Sequence, residues 1–489
     1  MRWKYYYPYV NNQTFTSSQI QKSPAPKVAP LSPEDLIASN YRGGTIDEHN
    51  RILLYLYSMF DKNRLPNEYT NLAPIKSGTS IVEEINRYVR KRDARRDVVE
   101  QARTYLSTAI PSLDKEYMSP GGFFKIHYTL RGEHAVSEYD MNRNGIPDYI
   151  EAIGESFDNV KQITCSERGF RAPVLDSGKK YMDVNVYDLS GKYGITFPVS
   201  YFNQRNGPKT SSSKISIDNS YSNEKGFREP PLDCMRVTVA HEFFHAVQNT
   251  YNVDADTWWK EASATWNEDE IYDGVNDYIQ YLDRIMSAPD RPLDESSYSG
   301  VIFVKYLSEN WGGYATIKRI WDTQATKYRN SVNAIDSTIK TLYKEEDLGT
   351  VYSRFMAYNL NPAQFYKEGY LWKIHASIKS IAEKFPYEYS TDKLSHLSSS
   401  YQLFRPGFYG KTLKISIEAN GDARFGLKAV RRKRGSTSYE VIDLDYDEGK
   451  AARYSCESFG NIYEEVCLVS SNTDKTADGA AFTYKAEIE

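Results

Sequence analysis

The stretch Val237-Thr238-Val239-Ala240-His241-Glu242-Phe243-Phe244-His245-Ala246-Val247-Gln248 decides how this chain is to be read. Two histidines four apart on a helix leave the same face, about one turn from each other, so both imidazoles can reach one metal ion. The glutamate between them then stands where it can take a proton from an attacking water. Val237, Val239, Ala240, Phe243, Phe244 and Val247 surround the motif with apolar bulk, which predicts a buried helix. Two imidazoles and a carboxylate inside such a helix need partners, and a bound cation supplies them. Satisfied core histidines are the plain alternative. With seven histidines in the whole chain, HExxH by chance is rare.

Fifteen residues separate His245 from Glu261, which lies in DTWWKEASATWNEDE, residues 256 to 270. Residues 258 to 272 read as a second helix, with Trp258, Trp259, Ala262, Ala264 and Trp266 as packing positions. A glutamate there supplies a third ligand and leaves a fourth position open to water. The tryptophans argue against the plain reading, an exposed first-turn carboxylate favoured by the helix dipole. Glu268 lies seven residues on, on the same face, where it either orients a ligand histidine or meets solvent.

With both segments in view, the chain resembles the gluzincin metallopeptidases, in which HExxH is followed by a helix bearing W-x-x-E-(small)-x-A. Trp258, Glu261, Ala262 and Ala264 match that pattern; Ala262 stands where many members have glycine, which leaves the ligand untouched. The resemblance implies His241, His245 and Glu261 as zinc ligands and Glu242 as general base. It also implies an oxyanion donor from the helical region downstream, and Tyr298 in SSYSGVIFVKYL is the choice.

A second constellation lies about ninety residues upstream, in YDMNRNGIPDYIEAI. Asp140, Asn142, Asn144, Gly145, Asp148 and Glu151 occupy positions 1, 3, 5, 6, 9 and 12 of a calcium loop, and Ile146 offers its carbonyl at position 7. The plain reading is an Asn/Gly turn leading into a helix that begins at Pro147. Pro147 makes the loop similar to the DxNxNGxPD loops of extracellular proteins, where calcium is structural. FFKIHYTLRGEHAV, this loop, the HEFFH segment and WWKEASATW together resemble a family of predicted secreted bacterial zinc peptidases, over about residues 45 to 320. That resemblance implies an extracellular protein, structural Ca2+, catalytic Zn2+ and a peptide or protein substrate. It identifies no particular substrate.

Composition fits such a chain. At 489 residues two or three domains are expected, and 40% hydrophobic with 26% charged residues describes a globular protein. A net charge of −4 gives no general attraction to nucleic acid or to an anionic membrane. No apolar run approaches the about eighteen residues of a membrane span. The 41 tyrosines suit a surface that contacts glycans or peptides. The first fifteen residues, MRWKYYYPYVNNQTF, hold no apolar core of a signal peptide. Cys456 with Cys467, and Cys165 with Cys234, can pair; four free buried thiols are equally open.

The fold class expected is α+β: a gluzincin-like catalytic unit with a C-terminal β-sandwich. Residues 1–44 read as an irregular, proline-bearing tail, and 45–115 as a helical segment that is a possible pro-segment. Two capping boxes start its helices, Thr45 to Glu48 and Ser80 to Glu83, the second helix running to about Ser107. The run RKRDARR, Arg90 to Arg96, is then a solvated helix face or, alternatively, a processing site. Residues 116–265 form a catalytic subdomain whose strands are FFKIHYTL, YMDVNVYDL and KISIDN, one of them the substrate-binding edge. Residues 266–395 are a helical catalytic subdomain, helical to about residue 385. Residues 396–489 are the sandwich, a surface for a glycan or protein partner, with Arg431 to Arg434 exposed at a hairpin tip. Beside the peptidase stand two other readings: an inactive calcium-dependent adhesin or glycan-binding protein, and a zinc hydrolase of a non-protein amide or ester.

Overall fold

The computed structural model describes residues 32 to 489 apart from 71–75, 223, 224, 226, 328, 329, 408, 409, 448 and 449. Residues 1 to 31, most of the expected tail, lie outside the described residues. The rest of that stretch is helical rather than irregular: α1 spans Pro33–Arg42. Ser32 and Asp35 cap each other reciprocally, and Pro33 sits at the first helical position, where its missing N–H costs nothing. Helix α2 (Glu48–Phe60) is capped by Asp47, whose side chain accepts from Asn50 N, so the box expected at Thr45 lies two residues too early. The expected long helix is two, α3 (Thr79–Val89) and α4 (Arg96–Thr108). Ser80 is not its cap but lies inside α3, donating to Glu34 Oε1 at 2.7 Å. The basic run is the turn between the two helices, with Lys91, Arg92, Asp93 and Arg95 exposed.

Five strands follow, with α5 and its π-helical continuation Gln162–Glu167 among them: β1 (Lys115–Met118), β2 (Phe124–Tyr128), α5 (Asp148–Lys161), β3 (Met182–Val186), β4 (Gly194–Phe202) and β5 (Thr210–Ile217). The sheet order is β1-β2-β3-β5-β4, with β2, β3 and β5 mutually parallel. The three strands read from sequence are therefore all interior. The edges are β1 and β4; β4 is the one packed against α6, and its Pro198, which cannot donate to a ladder, is tolerated at such a position. β5 also begins earlier than expected, because Thr210 to Ser213 are buried and paired to β4 despite their polarity.

Helices α6 (Pro231–Gln248) and α7 (Thr257–Ile271) pack against each other, α6 lying on β4 and β5. Phe124 of β2 meets Phe157 of α5 at 4.8 Å and Phe243 of α6 at 5.8 Å between ring centroids, so one aromatic group joins sheet to both helices. Among the described residues the chain continues, with short 3-10 turns between, through α8 (Asp283–Ser287), α9 (Val301–Asn310), α10 (Tyr314–Thr326), α11 (Ser331–Leu342), α12 (Leu348–Tyr358), α13 (Pro362–Phe365) and α14 (Gly369–Trp372). Helical structure ends there, short of the expected residue 385.

The remainder is a nine-stranded sheet: β6 (Ser380–Ala382), β7 (Tyr387–Ser390), β8 (Ser398–Phe404), β9 (Lys411–Asn420), β10 (Phe425–Lys433), β11 (Tyr439–Asp443), β12 (Ala451–Phe459), β13 (Tyr463–Asn472) and β14 (Ala481–Ile488). Strands β11-β10-β13-β8-β6 form one run and β12-β9-β14-β7 another, joined where Phe459 meets Tyr463. Residues of both runs, such as Leu427, Leu468, Ile415 and Phe482, fill a single core. The molecule is thus mixed α and β with a large sheet unit at its C-terminus. Cys456 faces that core whereas Cys467 faces the main one, so the two leave opposite sides of the sheet; all four cysteines are free thiols. Arg432, expected in solvent, is buried and bonded to Glu465 at 2.9 Å and to Glu464.

Truncating Phe124 to Ala removes the ring that joins β2, α5 and α6. The expected cost is about 3–5 kcal/mol, read as a lowered denaturant midpoint with an unchanged slope.

Candidate metal centre

Pro231 opens α6 at its first position and Asp233 stands in its first turn, a start that suits the helix dipole. Three turns on, the helix is wholly enclosed, with His241 1% exposed and Glu242 and His245 0%; Glu261 of α7 beside it is 1% exposed. His241 Nε2 and His245 Nε2 lie 3.0 Å apart, and Glu261 Oε2 is 3.2 Å from the first and 3.5 Å from the second. The rings stand nearly perpendicular, at 84°. Three donor atoms thus converge on one point, all within 4.8 Å of one another, and this group can hold a metal ion.

The far nitrogens are held as well. His241 Nδ1 bonds Glu268 Oε1 at 2.6 Å, and His245 Nδ1 bonds Gln248 Oε1 at 2.8 Å. Each partner fixes a ring and turns its Nε2 toward the shared point, as the outer contacts of a metal site do. Glu268 was among the sequence candidates; Gln248 was not, although its place three residues after His245 on one face was the available signal. Gln248 is itself anchored by donating to Lys260 O at 2.8 Å and Ser263 Oγ at 3.2 Å.

Burial by itself lowers the His241 imidazole, but its bonds to Glu261 and Glu268 more than offset this and raise it to about 9. Burial raises Glu261, yet the charges and hydrogen bonds of His245 and His241 outweigh it and hold the carboxyl well below the usual range. The His241 imidazole thus stands among carboxylates, a donor set that suits a cation. Glu242 differs. Its Oε2 accepts from Thr196 Oγ1 at 2.7 Å and Thr79 Oγ1 at 2.8 Å, while its buried Oε1 has no hydrogen-bond partner. Gly194 makes room for it, since a Cβ there would come within 2.5 Å of Glu242 Cγ.

Tyr298 reaches the same place, its ring 6.1 Å from that of His241. Its hydroxyl accepts from Ser77 N at 3.2 Å and donates to Ser77 O at 3.3 Å. Burial, followed by the charges of Glu261 and Glu34, pushes its phenol well above the usual value. Glu34 belongs to α1, so a segment read as tail comes close to the site. Sequence reasoning also missed Lys76, Thr79 and Thr196. Lys76 Nζ lies 2.9 Å from Glu268 Oε2 and 2.6 Å from Asp277 Oδ2.

The upstream loop forms a separate feature. Gly145 N donates to Asp140 Oδ2 at 2.8 Å and Met141 N to Asp148 Oδ1 at 3.0 Å. The amides of Asn142 and Asn144 donate to Glu151 at 2.9 and 2.7 Å. The spacing therefore does bring Asp140, Asn142, Asn144, Asp148 and Glu151 into one cluster, its asparagines exposed and its carboxylates half-buried, with Gly145 at φ 87° where the chain turns and Ile146 following it. Holding a cation there asks both amides to turn their oxygens inward. Helix α5 begins at Asp148, with Pro147 as its cap.

No family model matches the chain, and no curated protein does. Among solved structures it is similar to the pre-peptidase C-terminal domain of a collagenase from Bacillus anthracis, at 11% identity over 24% of this chain and 99% of that one, with a TM-score of 0.18. PliG from Aeromonas hydrophila, a periplasmic inhibitor of g-type lysozyme, is similar at 8% identity over 23% of this chain and 98% of that one, with a TM-score of 0.17. A family GH115 4-O-methyl-alpha-glucuronidase, BtGH115A, is similar at 9% identity over 66% of this chain and 54% of that one, with a TM-score of 0.14. No helix among the described residues is long and apolar enough to cross a membrane.

With the His241 imidazole raised to about 9, Zn2+ titrated at pH 7 should displace a proton from it. Affinity then climbs about tenfold per pH unit and levels off above about 9. Glu268→Gln should weaken Zn2+ binding about 10–100-fold, measured by competition with a chromophoric chelator.

Proposed function

We propose that this chain is a zinc-dependent metallopeptidase with a gluzincin-like site. The observation that carries the reading is the convergence of His241 Nε2, His245 Nε2 and Glu261 Oε2 on one buried point beside Glu242. Two imidazole nitrogens and one carboxylate oxygen are the donor set of hydrolytic zinc sites that keep a position open. The chemistry such an ion supplies is Lewis acidity toward a water and toward the scissile carbonyl. Glu242 takes the proton of the attacking water and delivers it to the leaving amine. Oε1, which lacks a partner, is the oxygen suited to this, while Thr196 and Thr79 hold Oε2 still. Tyr298 donates its hydroxyl to the oxyanion that develops on the carbonyl oxygen. Glu268 and Gln248 keep the two imidazoles aimed. For the loop from Asp140 to Glu151 we propose structural calcium, on its ligand spacing and on the α5 helix that it starts.

The test compares parent and Glu242→Gln on a peptide library, each loaded with zinc. Wherever the parent cleaves, the variant should keep its zinc and lose at least about a hundredfold in cleavage; a variant that cleaves as fast as an active parent would remove Glu242 from the mechanism. For the loop, the melting temperature should rise with calcium and fall with chelator, and Asp140→Ala should abolish the difference. Calcium-independent melting of the parent would return the loop to a simple turn.

A further inference from the structure

Residues 76 to 79 run along the free edge of β4 and engage the groups that the proposed reaction needs. Ser77 pairs with Gly194 in a parallel bridge, Gly78 N donates to Gly194 O at 3.0 Å, and Tyr193 N donates to Lys76 O at 2.9 Å. An exposed edge next to an active-site helix is where an extended peptide adds as a further strand. Here the chain's own backbone fills that place. The Ser77 peptide holds the Tyr298 hydroxyl through both its N–H and its carbonyl, and Thr79 donates to Glu242. Ser77 and Thr79 are fully buried, as are Glu242 and His245. A peptide bond therefore cannot reach Glu242 without moving this segment.

We infer that residues 76–79 are an internal strap standing in for substrate, that the full chain is latent, and that cleavage in the turn between α3 and α4 activates it. This rests on the peptidase reading above. The turn is the place to cut: Lys91, Arg92 and Arg95 are exposed, beyond the end of α3 at Val89 and before α4 starts at Arg96. A protease that cuts after Lys or Arg adds water across one peptide bond there, leaving a new carboxylate and a new amine. The piece set free carries α1, α2, the strap and α3. Non-covalent contacts alone then hold it: Lys76 to Glu268 and Asp277, Glu83 to Lys260, Arg90 to Asp254 and Asp35 to Arg284. Packing adds to these, since Ile195 and Phe197 of β4 share a core with α2 and α3. Severing the chain removes the high effective concentration that tethering supplies, so a segment held by non-covalent contacts can dissociate.

The experiment uses zinc-loaded full chain, the same chain nicked by limited trypsin and passed over a sizing column, and full-length Gly78→Pro. Proline at 78 deletes the amide bonded to Gly194, and any Cβ there meets Met59 Cε at 2.4 Å and Ile195 Cγ1 at 2.9 Å. Its backbone φ of −82° nevertheless suits the start of α3, so the variant displaces the strap rather than the helix. Two quantities are read: affinity for a fluorescent dipeptide hydroxamate, with zinc content alongside, and cleavage of quenched peptides. Nicking between α3 and α4 and Gly78→Pro should each tighten hydroxamate binding at least about tenfold at unchanged zinc content, and cleavage should rise with it. Equal hydroxamate affinity in all three proteins overturns the latency, as does weaker binding after displacement, which would make the strap a working part of the site. Tighter hydroxamate binding without peptide cleavage upholds the strap and overturns the peptidase reading instead.

Discussion

Lys76 stands between Glu268 and Asp277 with all three side chains out of water, and Glu268 in turn holds Nδ1 of His241. Each member is tolerable only because the next is there, since a buried charge without a partner is far costlier than a pair. Burial alone would lower Lys76, but the two carboxylates outweigh it and keep the ammonium charged. Removing one partner from such a chain typically costs about 3–5 kcal/mol. One line of charge therefore ties the N-terminal segment, α7, the turn after α7 and the imidazole of α6 into a single electrostatic unit.

Around that line the layers divide the work. The interior strands β2, β3 and β5 and helix α5 give α6 a rigid bed, through Phe124, Phe157 and Phe243. Helix α7 closes the other side with its tryptophans, Trp259 lying 6.2 Å from Trp321 of α10. The C-terminal sheet is no tethered appendage. Tyr401 of β8 donates to Met356 O at 2.6 Å, and Tyr401, Val430 and Val469 belong to the same core as α6 and α12. It behaves as a wall of the body that carries the site.

Much was legible because it is local. Spacing four apart on one face brought His241 and His245 together, and the tryptophan-rich helix delivered Glu261 to them. Alternation marked β2 and β3, and the loop positions from Asp140 to Glu151 did gather into one cluster. What misled was also local. Thr45 heads a plausible box, but Asp47 forms the better cap, and Ser80 is drawn off by Glu34. The proline-bearing N-terminal stretch read as an irregular tail, although Pro33 occupies the helix position that favours proline. β4 escaped notice because a central proline counts against a strand until that strand is known to be an edge.

By itself the sequence picked out the candidate ligands His241, His245 and Glu261, the neighbouring Glu242 and the helices that bear them, because periodicity along one helix is a property of consecutive residues. The tertiary structure alone decided which strand is the edge and what lies on it. It also decided that Gln248 and Glu268 orient the imidazoles, and that Lys76, Ser77 and Thr79 meet residues more than a hundred positions away. Contacts over such separations leave no period in the chain. They arise because burying α6 between a sheet and α7 obliges every polar group around it to find its partner wherever the fold brings one.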